Sequence, residues 1–244
     1  MPSSTVFLGH LVLPLFALRG GEVVAFLGTS FVAAPGVLVT CWHCVEGAVQ
    51  AGLKICVVAV QSPGLPLVAV RDVAQDASGA DLATARVAVT PAGPLPRLGD
   101  PISTPTDVCT WGFPWTNLAR RSLDDPGTYP LTPRYLKGYV TRYFTHEHGR
   151  FGLARSYEID MPAPDGLSGA PLIPVGSDAV AGVIYSNLDV TRTEEAATVD
   201  AETGKRTPEV QRIVSFALAH HTWTLAELRG PATDGRPLRD LMAR

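Results

Sequence analysis

Glycine and proline break this chain into short apolar runs, and no stretch sustains a long amphipathic helical period. Residues 23–27, 28–32, 37–40, 54–60, 67–70, 135–141, 156–161 and 179–185 are runs of strand length rich in β-branched and aromatic side chains. With 23 glycines and 21 prolines among 244 residues, a turn can follow nearly every run. The pattern predicts an all-β barrel or sandwich. Helix is confined to a short segment capped by Thr222 and a second over residues 237–244. A hydrophobic share of 46% and a charged share of 18% describe a globular chain with a substantial core.

Residues 90–105 carry five prolines and two glycines, so they cannot form a central strand and are read as a linker between two halves. The expected organisation is a β-barrel over 1–92, a linker over 93–106, a second barrel over 107–221 and a helical tail over 222–244. Two polar stretches, 116–133 and 191–207, are expected to be surface loops, the acidic second one mobile. His146 and His148 stand at an expected hairpin tip, as solvent-exposed turn residues rather than metal ligands. The apolar run 6–18 has no preceding lysine or arginine, is interrupted by His10 and is too short to span a bilayer. It is read as the first strands. The net charge of −3 gives no support to nucleic-acid binding. Cys41, Cys44, Cys56 and Cys109 are too few for a disulfide scaffold and are expected as free, mostly buried thiols in the cytoplasm. The single C-x-x-C at Cys41–Cys44 lacks a second pair to complete a zinc site, and no metal or cofactor is expected.

The stretch with chemical character is Gly166-Leu167-Ser168-Gly169-Ala170-Pro171. Glycines beside a serine let the backbone turn tightly and present N–H groups to a developing oxyanion. A glycine-rich turn without chemistry is the alternative. A serine nucleophile needs a base and an orienting carboxylate. His43, in Cys41-Trp42-His43-Cys44, and Asp81, in Gly79-Ala80-Asp81-Leu82-Ala83, supply them in the order His–Asp–Ser. Subtilisins run Asp–His–Ser and α/β-hydrolases Ser–Asp–His. Of the three orders, only His–Asp–Ser accompanies a β-rich fold.

On these residues the chain resembles the bacterial trypsin-like, chymotrypsin-fold serine peptidases. Gly28-Thr29-Ser30-Phe31 and Thr40-Cys41-Trp42-His43-Cys44-Val45 resemble that family's G-x-G-F and L-T-x-x-H-V blocks. Asp81-Leu82-Ala83, Gly112-Phe113-Pro114 and Gly166–Leu172 resemble its D-[LI]-A, G-[FY]-P and G-x-S-G-x-P-[LV] blocks. The resemblance implies two six-stranded antiparallel β-barrels with the site in the cleft between them. It implies His43, Asp81 and Ser168 as a triad, with the N–H groups of Gly166 and Ser168 as the oxyanion hole. Pro162 and Ala163 fall at the base of the specificity pocket, Tyr185, Ser186 and Asn187 on its wall, and Asp165 nearby.

Two departures stand out. Leu167 occupies the position where secreted trypsins carry an aspartate that pairs with a freed N-terminus, so activation by cleavage is not expected. The disulfide that brackets the histidine lacks its first cysteine, since Leu27 and Gly28 stand near that place. The expected function is a serine endopeptidase acting through an acyl-enzyme, on a protein or peptide substrate, with a regulatory or effector protein as the expected specific partner. Small or apolar P1 side chains are preferred over basic ones. A catalytically silent binding module on the same fold is the competing reading.

Overall fold

The computed structural model describes residues 9–59, 66–114, 131, 133–195, 198–199, 206–207 and 210–242. The expected loop at 116–133 lies, apart from Leu131 and Pro133, outside the described residues. So do the turn expected at 61–64 and the start of the first apolar run.

The first half closes into a six-stranded barrel. Its strands are β1 (Val12–Arg19), β2 (Glu22–Ala34), β3 (Val37–Thr40), β4 (Lys54–Val58), β5 (Leu67–Gln75) and β6 (Ala83–Val87), in the order β1-β2-β3-β6-β5-β4. Pairing is antiparallel throughout. Gly20 and Gly21, both at positive φ, make the two-residue turn that brings Arg19 opposite Glu22. Irregularities at Leu15/Phe16 and Ala17/Leu18 let the long β2 bend around the ring. A second closed ring of six strands follows. It is made of β8 (Asp107–Gly112), β9 (Arg134–Glu147), β10 (Leu153–Ile159), β11 (Pro171–Pro174), β13 (Gly182–Glu195) and β16 (Val210–His221). The first ring and its neighbours bury Leu13, Phe31, Leu38, Val39 and Leu82, and the second buries Tyr157, Ile159, Leu172 and Ile184.

Three elements differ from the sequence reading. Residues 42–50, where no helix was expected, form a helix, α1 (Trp42–Gln50). Cys41 caps it in extended conformation (φ −79°, ψ 144°), and Val45 and Ala48, three apart, bury one face. The acidic stretch from Thr191 is not wholly a loop. β13 continues to Glu195 and pairs with the start of β16, Thr191 opposite Ile213 and Thr193 opposite Gln211, and between them β14 (Thr198–Val199) pairs antiparallel with β15 (Arg206–Thr207). Threonine and valine favour the extended chain even where nothing covers them: Val190 and Ile213 are both exposed. The linker is not free of pairing either. Two of its residues, β7 (Arg97–Leu98), lie parallel to β12 (Ala179–Val180), and Arg97 pairs with Asp178.

After β16 comes α2 (Thr222–Glu227) and two single turns, Pro231–Thr233 and Leu238–Asp240, in place of the expected second helix. Leu225, Leu228 and Leu238 of this tail are fully buried, in the same cluster as the first barrel's core. The Arg229 N–H donates to Asp76 Oδ1 (2.9 Å), and Ala77 N–H to Arg229 O (3.2 Å), fixing the tail to the loop ahead of Asp81. Among the described residues no helix is long and apolar enough to cross a membrane.

Candidate active site

His43 stands on the first turn of α1, Asp81 in the loop before β6, and Ser168 in the loop between β10 and β11. The serine loop belongs to the second ring, yet its geometry is set by the first. Thr29 of β2 is the anchor. Its N–H donates to Ser168 O (3.0 Å), and its hydroxyl donates to Gly166 O (2.7 Å) while accepting from Phe113 N–H (3.1 Å). Gly169, at φ +90°, follows the serine so closely that a Cβ would lie 1.9 Å from Thr29 O and 2.4 Å from Thr40 Oγ1. Only glycine fits there, both for conformation and for space. Thr40 Oγ1 in turn donates to Thr29 O (2.8 Å), and Gly169 N–H donates to Ile184 O (2.8 Å).

Asp81 is fully buried. Its carboxylate receives His43 Nδ1–H at Oδ2 (2.6 Å) and the His43 backbone N–H at Oδ1 (2.9 Å). A third contact comes from the second ring: His148 Nε2 lies 3.2 Å from the same Oδ2. Burial opposes charge on this carboxyl, but the hydrogen bonds from His148 and His43 outweigh it and hold Asp81 well below the usual carboxylate range. For His43 burial also works against the charged form. The Asp81 bond and the neighbouring Cys44 thiol win, and the imidazole rises to about 10.

The bond to Asp81 fixes Nδ1 as a donor and leaves Nε2 as the working nitrogen. Nε2 faces Cys44 Sγ at 3.6 Å. Ser168 Oγ donates to Tyr185 O (3.1 Å), and among the described residues no hydrogen bond joins it to His43. The N–H groups of Gly166 and Ser168 have no hydrogen-bond partner among the described residues, whereas those of Leu167 and Gly169 on alternate positions do. The arrangement thus offers a polarised imidazole, a half-buried hydroxyl and two free amides along one loop.

Behind Asp81 lies a cluster of aromatic and imidazole rings that the sequence reading missed. His146 and His148 are not exposed turn residues. With Phe144 they occupy the half-buried face of β9 and the residue after it. His148 packs on Tyr185 (centroids 4.6 Å) and Tyr185 on His220 (4.4 Å). The Tyr185 hydroxyl meets Ser156 Oγ (2.8 Å) and His146 Nε2 (3.1 Å). Tyr185 therefore presents its carbonyl, not its ring, to Ser168. His220 Nε2–H donates to Asp81 O (3.2 Å), and burial lowers this histidine to about 4. The signal available was the period of two from Phe144 to His148, which puts three rings on one face of a strand.

Among the other predicted residues, Ala163 is buried and its N–H donates to Asn187 Oδ1 (3.0 Å), while Pro162 and Asp165 are exposed and Ser186 is half-buried. Asp189 Oδ1 accepts from Asn187 Nδ2 and Ser215 Oγ (2.6 Å). Cys41, Asp81 and His220 bring ligand atoms within 4.8 Å of one another, a spacing that could hold a soft divalent cation. All three are fully buried, Cys41 Sγ already donates to Ile184 O (3.2 Å), and a metal on Asp81 would have to displace a histidine. The group fits the hydrogen-bonded cluster better than a metal centre.

The family model described as "Trypsin-like peptidase domain" matches residues 28–183. No curated protein matches. Among solved structures, the active form of the Rv3671c protease from M. tuberculosis is similar with a TM-score of 0.61 at 21% identity, over 91% of this chain and 80% of that one. The HtrA-type protease AlgW with a decapeptide has a TM-score of 0.61 at 15% identity, over 91% and 64%. The MamO protease domain from Magnetospirillum magneticum has a TM-score of 0.59 at 14% identity, over 89% and 95%.

Proposed function

The chain belongs to the trypsin-like peptidase domain family, and from that premise we propose that it is a serine endopeptidase with Ser168 as nucleophile, His43 as base and Asp81 as the orienting carboxylate. The observation that carries this reading is the 2.6 Å bond from His43 Nδ1 to the buried Asp81 Oδ2, in a site to which the Ser168 loop is docked by Thr29. In the reaction, Ser168 Oγ turns from Tyr185 O towards His43 Nε2 and attacks the scissile carbonyl as Nε2 takes its proton. The free N–H groups of Gly166 and Ser168 receive the oxyanion. His43 then gives the proton to the leaving amine, and water repeats the sequence on the acyl-enzyme.

Small or apolar P1 side chains fit best, because neither Pro162 nor Ala163 carries charge and Asp189 Oδ1 is engaged by Asn187 and Ser215. The pair of rings supports the expected division at 92/93, 106/107 and 221/222, with the site between them. Free thiols at all four cysteines support a reducing compartment such as the cytoplasm. A dedicated protein partner remains part of the proposal.

A fluorophosphonate probe is expected to label the wild type at Ser168, and Ser168→Ala to lose both labelling and casein cleavage. The competing silent-module reading draws on the resting Ser168–Tyr185 bond; absence of wild-type labelling, reduced or oxidised, would favour it. A peptide-library profile with a strict Arg/Lys preference would overturn the P1 assignment.

A further inference from the structure

Two thiols flank the proposed catalytic imidazole, and the peptidase reaction uses neither. Cys41 is the N-cap of α1 and Cys44 lies on its first turn, so His43 sits inside a C-x-x-C at a helix N-terminus. Cys41 Sγ donates to Ile184 O (3.2 Å). Cys44 is partly accessible and Cys41 fully buried. Cys44 Sγ also lies 3.6 Å from His43 Nε2 and 3.7 Å from Ser168 O. It therefore occupies the place from which Nε2 would accept the serine proton. Gly28 leaves room for this, since a Cβ there would stand 3.0 Å from Cys44 Sγ. The neighbouring Cys41 thiol, helped by His43, outweighs burial and lowers Cys44 to about 6, while burial pushes Cys41 up. One sulfur is suited to attack and the other to resolve.

We propose that Cys44 is a peroxide-sensitive modification site whose oxidation ends in a Cys41–Cys44 disulfide, withdrawing the sulfur from His43 Nε2 and freeing that nitrogen for catalysis. The Cys44 thiolate attacks one oxygen of hydrogen peroxide. An S–O bond forms, the O–O bond breaks and the leaving hydroxide is protonated to water. Cys41 sulfur then attacks Cys44 sulfur. The S–S bond forms, the S–O bond breaks, and the sulfenic oxygen leaves as water with the Cys41 proton. Two thiols lose two electrons and two protons, and peroxide is reduced to two waters. Residues three apart with the first at a helix N-cap are near enough for this short loop. Loss of the Cys41 proton also removes its bond to Ile184 O, next to the carbonyl that holds Ser168 Oγ.

The catalytic consequence rests on the triad reading; the modification site does not. The full chain, reduced and then treated with hydrogen peroxide, should yield a peptide containing Cys41 and Cys44 that is two hydrogens lighter and resists alkylation. Cys56 and Cys109 should remain alkylatable. Fluorophosphonate labelling of Ser168 should rise about tenfold or more on oxidation and fall back with dithiothreitol. Cys44→Ala should label at the oxidised rate whether or not peroxide is present. Failure to form this disulfide would overturn the site, even if Ser168 labels. Labelling that is unchanged or slower on oxidation would overturn the release of His43. Disulfide formation without any labelling, in wild type and Cys44→Ala alike, would leave the site standing and remove the triad reading instead.

Discussion

Thr29 carries more of the candidate site than any residue a motif would single out. Through three hydrogen bonds it ties Gly166, Ser168 and Phe113 to β2. Thr29→Val keeps the shape and deletes the hydroxyl, removing its bonds to Gly166 O and Phe113 N–H. It should cost about 1–3 kcal/mol in stability by denaturant titration and slow Ser168 labelling more than it shifts the unfolding midpoint. Gly169→Ala meets backbone rather than a flexible side chain, at 1.9 Å, and should abolish labelling and cost at least about 3 kcal/mol. His43, Asp81 and Ser168 were legible because nucleophile chemistry restricts residue type and chain order together. Thr29 was not, because a threonine inside a β-branched run has the same local signature whether it fills a strand or anchors a loop. Cys44 was read as packing for a similar reason: nothing local says that its sulfur faces an imidazole.

At the level of elements, the end of β9 matters most. Period-two alternation from Phe144 turns His146 and His148 inward, and His148 reaches Asp81 across the two rings. His148 is a positioning residue, acting on His43 through the carboxylate. His148→Ala should lower the labelling rate, and His148→Gln should recover part of it. Strands were legible from alternation and turns, but α1 was not, because its nine residues, about two and a half turns, are too short to display a helical period. The arm formed by the outer ends of β13 and β16 was misread for the opposite reason: its polarity signals a loop, while its threonines and valines pair regardless. Replacing residues 193–211 by a short turn should leave the melting temperature and Ser168 labelling nearly unchanged.

For the whole molecule, protonation sets a window of stability. His220 is lowered from 6.5 to about 4 by burial, so its contribution is complete above about 6.5 and is lost as pH falls through about 4; roughly 3 kcal/mol is involved. His43 is raised to about 10, so its contribution is complete below about 6.5 and is lost as pH rises through about 10. Cys44, lowered from 9 to about 6, gains in the opposite sense between those values. Thermal melts from pH 4 to 10.5 should show a plateau near 6.5–9 with a fall on either side, and His220→Phe should flatten the acid side. Two β-rich halves were legible from the chain's punctuation and the two barrels from the family resemblance, whereas the return of the tail to the first barrel was not, because burial of Leu225, Leu228 and Leu238 depends on a surface about 150 residues earlier. Leu228→Ala should cost about 2–5 kcal/mol. That return also sets the order of events at the ribosome. The first barrel's strands, and with them His43 on α1 and Asp81 ahead of β6, emerge long before the leucines that join its core, so the nascent barrel waits, incompletely walled, until synthesis reaches residue 238. The wall of the first barrel is thereby finished by residues translated well after its own strands.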